Sequence, residues 1–125
     1  RIDLHAELPA LPRADVRAAP ADGSAELRAR VSGAHARQRE RFRGAGLRVN
    51  AEMTARQVRR LCAPPPEAER LLAAATSRLG LSARGHDRVL KVARTIADLH
   101  GTDTLTAEHC AEAIQYRGLD RQWRE

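Results

Sequence analysis

Apolar positions recur mostly at steps of three and four, the period of helices that bury one face. The clearest case follows Ser82, where Val89, Val92, Ala93, Ile96 and Ala97 line one face. Ser82 has the side chain of an N-cap, and Gly101 ends the pattern. Ser24 likewise caps a helix running to about Phe42, with a thin stripe of Leu27, Val31, Ala34 and Phe42. Gly44 and Gly46 end it, and so narrow a stripe predicts a helix partly detached or packed on an absent partner. A short helix capped by Thr54 turns Val58, Leu61 and Cys62 inward until Pro64, Pro65 and Pro66 break it. The next places Ala68, Leu71, Leu72, Ala75 and Leu79 on one face and stops at Gly80. Thr106 caps the last, with Ala107, Cys110, Ala111 and Ile114 inward.

The amino end reads differently. Ile2, Leu4, Ala6 and Leu8 alternate with Asp3, His5 and Glu7, the period of a half-buried strand, until Pro9 and Pro12 stop it. A lone strand has no stability of its own. Its sheet belongs to something larger, and a chain starting at Arg1 rather than Met fits a segment of a longer protein. The expected fold is all-α: a small bundle of four to five helices with an N-terminal extended segment. The segments are 1–20, extended end and linker; 21–118, helical domain; and 119–125, polar tail.

Composition sharpens this picture. The 125 residues are 42% hydrophobic but only 2% aromatic, namely Phe42, Tyr116 and Trp123. A core of Ala, Leu and Val suits close helix packing better than a sandwich of sheets. No apolar run nears the ~20 residues of a membrane span, and no secretory signal is visible, so the expected location is cytoplasmic. Lys and Arg number 22 against 16 acids, a net charge of +6, and Lys91 is the single lysine. Such a balance points to a phosphate or nucleic-acid partner, or to a solvated helical surface with interleaved acids. Arg37, Arg39, Arg41 and Arg43 form the densest basic run and are candidate nucleic-acid contacts. No aromatic platform for single-stranded bases accompanies them.

Catalytic motifs are absent. The chain has no phosphate-cradling glycine loop, no nucleophile elbow and no C-x-x-C. Cys62 and Cys110 read as buried small hydrophobes, the five histidines show no ligand spacing, and no metal site is expected. One stripe carries chemistry: Arg84, Arg88 and Lys91, with Thr95 and Asp98 continuing the line on the outer side of the helix after Ser82. Like charges at these steps repel by a few tenths of a kcal/mol per pair. An anion relieves the repulsion, and the planar arginine fork fits phosphate oxygens. Neutralisation by Asp87, Asp98 or neighbouring acids is the competing reading.

Several stretches resemble a known family. R-I-D-L-H-A-E-L-P (residues 1–9), N-A-E-M-T-A-R-Q-V-R-R-L-C (50–62), L-S-A-R-G-H-D-R-V-L-K-V-A-R-T-I-A-D-L (81–99) and A-E-A-I-Q-Y-R-G-L-D-R (111–121) resemble magnesium-chelatase-like AAA+ proteins of the ComM type. The resemblance covers nearly the whole chain, in order. It departs at Gly85 and His86, where the family more often has alanine and an aromatic. It implies the C-terminal helical lid of an ATPase that works as a hexameric ring with neighbouring subunits. It implies ATP and magnesium held by parts of the protein outside this chain, with neither bound by the chain alone. Arg1 matches the arginine finger and Arg84 the sensor arginine of the lid. The intact protein would be a motor acting on DNA in natural transformation. A stand-alone basic nucleic-acid-binding module is the alternative.

Overall fold

The computed structural model describes residues 4–6 and 23–122, with side chains as far as residue 117. Among the described residues five α-helices follow one another: α1 Ser24–Arg41, α2 Ala55–Leu61, α3 Pro66–Leu79, α4 Ala83–Leu99 and α5 Ala107–Gln122. A 3₁₀ turn, Asn50–Glu52, separates α1 from α2. No strand occurs among the described residues, so the expected all-α bundle is what forms. Of the alternating stretch 2–8, only residues 4–6 are described; they are irregular, and the His5 N–H donates to the Tyr116 carbonyl (3.3 Å). Helix α5 runs to Gln122, into the stretch read as a tail.

Local chemistry sets most boundaries. Thr54 closes a capping box with Gln57, and Ser82 Oγ accepts the Gly85 N–H (3.1 Å). Thr106 Oγ1 accepts the His109 N–H (3.3 Å). Gly80 ends α3 in the left-handed region (φ 64°), where a Cβ would be strained. At the first helix the cap is Gly23 rather than Ser24, and no side chain caps it. Pro66 opens α3, where its missing N–H costs nothing.

Helix α4 is the hub. It packs against α1, the 3₁₀ turn, α2 and α5, and α5 packs in turn on α3. Val89, Ala93 and Ala97 are wholly buried, as are Cys110 and Ala113 of α5, and these small side chains permit close approach. Leu90, outside the anticipated face, is also buried, and Val92 is only half-buried. Leu71 turns outward, and Ala113 rather than Ala111 is the buried alanine of α5. On α1 only Ala34 and Gln38 are buried; Leu27 and Val31 are each 47% exposed. The first half of α1 is thus largely exposed, in keeping with its thin stripe, although Arg30 lines a hollow beside α4 and α5.

The side of α4 that faces α1 is polar and buried, which corrects the outer-stripe placement of Asp98. Its side chain is fully enclosed. Arg41 grips it with both ends of its fork, Nη2 to Oδ1 (2.6 Å) and Nη1 to Oδ2 (2.9 Å). Asn50 Nδ2 donates to Oδ2 (2.9 Å) and to Thr95 Oγ1 (3.0 Å). Arg94 Nη2 lies 3.5 Å from Oδ1 while its fork donates to the carbonyls of Asp103 (2.6 Å) and Thr102 (2.7 Å). Asp98 raises the pKa of Arg41 through its hydrogen bond and charge; burial lowers that of Arg94, against the pull of Asp98. The Asn50 N–H reaches Gln38 Oε1 (2.8 Å), so the cluster joins α1, the 3₁₀ turn and α4.

Two predictions follow from this packing. Asp98→Ala leaves two buried cations without their counter-ion and should cost about 3–5 kcal/mol, read from urea denaturation; a loss below about 1 kcal/mol would mean that water replaces the carboxylate. Gly85→Ala should do the opposite. Its added Cβ would meet Leu81, Ser82 and Arg117 at 3.5–3.6 Å, ordinary contact. The gain in helix propensity, up to about 1 kcal/mol, should raise the melting temperature by a few degrees.

Candidate functional site

The open end of the α4 face that carries Asp98 forms a shallow groove of about 380 Å³. Arg84, Asp87, Arg88 and Lys91 line one side; Ala51, Met53 and Ala55 form the other. Spacing brings the cations together: positions 84, 88 and 91 lie one turn apart along one face. Arg84 is the second residue of α4, exposed, and makes no hydrogen bond or ion pair among the described residues. The positive end of the helix dipole lies beside it. Lys91 Nζ is held across the groove by the Ala51 carbonyl (3.1 Å). The groove is thus lined by two arginines, a lysine and one aspartate. Such a surface can attract and orient a phosphate; it offers no nucleophile.

A second, more apolar hollow of about 430 Å³ adjoins it, sharing Ala51 and Lys91. Leu4, Val92, Leu99 and Tyr116 are among its walls. The two shared residues, bonded to each other, stand between the cationic groove and this greasier hollow.

The other candidate residues fare differently. Arg1 lies outside the described residues. The basic run of α1 does not act as a unit. Arg41 is turned inward onto Asp98, as described above. Arg37 donates to Asp103 Oδ1 (2.6 Å) and to the Gly101 carbonyl (2.5 Å). Arg43 is exposed and paired with Glu40 (2.7 Å), and Arg39 is exposed. Of the four, only Arg39 and Arg43 face outward for a nucleic-acid contact, because Asp98 and the loop after α4 engage the other two.

Cys62 and Cys110 are buried, and desolvation pushes both thiols up to about 11. They stay protonated at neutral pH and act as core residues. Among the described residues no group of three or more histidines, cysteines or carboxylates could hold a metal ion. A pairing the sequence did not reveal joins His100 to His109, ring nitrogens 3.2 Å apart. Helical spacing cannot announce it, since the two sit on different helices.

Comparison with known proteins assigns this architecture. Residues 21–117 match the family described as magnesium chelatase, subunit ChlI C-terminal. Over 123 residues, 97% of the chain, it is 37% identical to the uncharacterized protein YifB of Salmonella typhimurium and to the competence protein ComM of Haemophilus influenzae. An uncharacterized protein of Mycobacterium tuberculosis is 34% identical over 117 residues, 94% of the chain. The chain spans about a quarter of the length of these relatives, 24%, 23% and 23% respectively. With the matched region covering the five-helix bundle from α1 into α5, the chain belongs to the magnesium chelatase ChlI C-terminal family, as a helical domain of the ComM type.

Proposed function

We propose that this domain is the lid of an ATP-driven ring and that it senses nucleotide through Arg84. The observation that supports this reading best is the cationic groove at the start of α4, with Arg84 exposed and unengaged among the described residues. An arginine there can lay a fork of donors on a terminal phosphate while the helix dipole adds to the attraction. Arg88 and Lys91 raise the local potential. ATP would supply the phosphate, and hydrolysis would remove the charge that holds the lid. Magnesium is proposed to be held by other parts of the intact protein. Arg1 is proposed to reach the nucleotide of a neighbouring subunit, as an arginine finger that neutralises developing charge.

DNA is the proposed substrate of the intact motor, as the name of the Haemophilus relative suggests through competence. Within the domain, a weak electrostatic contact would rest on Arg39 and Arg43 and on the exposed Arg56, Arg59 and Arg60 of α2. Among the described residues no helix is long and apolar enough to cross a membrane. We place the protein in the cytoplasm, where ATP and DNA meet.

In the intact protein, Arg84→Ala should lower ATP turnover or apparent nucleotide affinity by about tenfold to a hundredfold, the worth of a charge-assisted hydrogen bond. Stability should change by about half a kcal/mol or less, since the side chain is exposed. Arg84→Lys should not restore activity, because a point charge lacks the fork. Steady-state hydrolysis measured beside melting temperature separates the two effects, and parental turnover in Arg84→Ala would refute the assignment. For DNA, affinity of the chain should fall steeply between low and moderate salt. Arg39→Ala with Arg43→Ala should weaken binding without unfolding, whereas Arg41→Ala should unfold the domain. Salt-independent binding would contradict the electrostatic account.

A further inference from the structure

We propose that His100 and His109 form a proton-sensitive latch joining the end of α4 to the start of α5. His109 is 6% exposed and His100 caps the carboxyl end of α4 at the surface. The Thr106 N–H donates to His109 Nδ1 (3.1 Å), and the Thr106 hydroxyl lies 3.1 Å from the same nitrogen. Nδ1 is therefore an acceptor and carries no proton. The ring's hydrogen must then sit on Nε2, which faces His100 Nδ1 at 3.2 Å. His109 Nε2–H donates and His100 Nδ1 accepts. The chain of donors runs one way: Thr106 N–H to His109 to His100.

That arrangement has room for no further proton. A proton on His109 Nδ1 would face the Thr106 N–H, donor against donor. A proton on His100 Nδ1 would face His109 Nε2–H in the same way. Either breaks a link, and protonating both rings adds repulsion between them. The charged groups that bear on His109 are His100 and Arg94 from α4 and Glu108 and Glu112 from its own helix. Burial lowers its pKa first, with His100 and Arg94 acting in the same direction and the two glutamates opposing. The same tautomer argues against a metal at this pair. A metal on His109 Nε2 would move the hydrogen to Nδ1, where the Thr106 N–H already points.

The sign is fixed by linkage. A histidine that stays neutral when folded binds fewer protons than it does unfolded. The latch is closed above the ordinary value of about 6.5. Stability is lost as pH falls below it, and the loss stops growing once His109 protonates within the folded state. The first turn of α5 should loosen before the rest of the bundle, because His109 occupies the third helical position and closes the cap of that helix. Its role matches that of glutamine at the same place in a capping box, as Gln57 shows after Thr54.

His109→Gln is therefore the informative variant: glutamine can accept from the Thr106 N–H but does not titrate. Thermal melts of the chain at pH 7.5 and 5.5 should show the parent losing several degrees on acidification. The variant should hold its stability at pH 7.5 and lose less than half as much. An equal acid loss in the variant would overturn the proposal. Should the variant fail to fold, two measurements on the parent decide. Nitrogen-15 spectra of the imidazoles should show His109 protonated at Nε2 alone at pH 7.5. Amide exchange at Thr106 should accelerate on acidification, relative to its intrinsic rate, before that of Val58. A proton on His109 Nδ1, or unchanged protection of Thr106, would refute the latch.

Discussion

A carboxylate with no access to water sits near the end of the central helix, and the bundle is arranged around keeping it paired. An isolated charge buried in that position would cost far more than a domain of this size can offset. Arg41, Asn50 and Arg94 satisfy it from three directions. Each partner belongs to a different piece of chain, so satisfying the charge also sets the seat of α1, the path of the 3₁₀ turn and the loop after α4. Replacing the whole cluster with apolar groups could stabilise the fold as well or better. What the ionic version adds is direction: an Asp gripped by a fork accepts few alternative orientations of α1.

The same constraint positions the groove. Arg84 lies fourteen residues before Asp98, about 21 Å along the helix, and within about 40° of the same face by helical rotation. Because α1 and the 3₁₀ turn are clamped at the Asp98 end, they cover that face only part of the way. The uncovered remainder is where Arg84, Asp87, Arg88 and Lys91 emerge. Lys91, bonded to the Ala51 carbonyl, marks the boundary between the clamped part and the open part. The clamp and the groove are two ends of one helix face, so a shift in α1 would move the walls of the groove with it.

Helices, caps and most inward faces were legible because they depend on residues three or four apart. Thr54 with Gln57, Ser82 with Gly85 and Gly80 at a helix end are decided within one turn. Asp98 was misread for the opposite reason. It continues a line of polar residues on the outer face, and its partners Arg41 and Asn50 lie 57 and 48 residues away. No local pattern marks such a pair. The arginine run from Arg37 to Arg43 shows the same limit: four similar residues at alternate positions look equivalent until a distant carboxylate selects Arg41. The His100–His109 bond is likewise a meeting of two helix ends that sequence periodicity does not record. The groove itself was half legible, since spacing gathered its cations but could not show that Ala51, Met53 and Ala55 would stand opposite.

Net charge is therefore a poor guide to where this domain acts. Among its arginines, Arg41 and Arg94 serve the interior, and Arg37 fastens α1 to the loop after α4 through Asp103 and Gly101. These positions contribute fully to the formal charge and little to any partner's approach. Arg84 differs by what surrounds it. Its helix supplies two further cations and one aspartate within reach of a single groove, and the nearest backbone adds partial positive charge. An internal acid would have quenched that potential, as Asp98 quenches Arg41. Among the described residues Asp87 is the acid that lines the groove, and it forms no ion pair with Arg84. A terminal phosphate, with several oxygens and at least one full charge, would suit the role proposed for Arg84 geometrically as well as electrostatically.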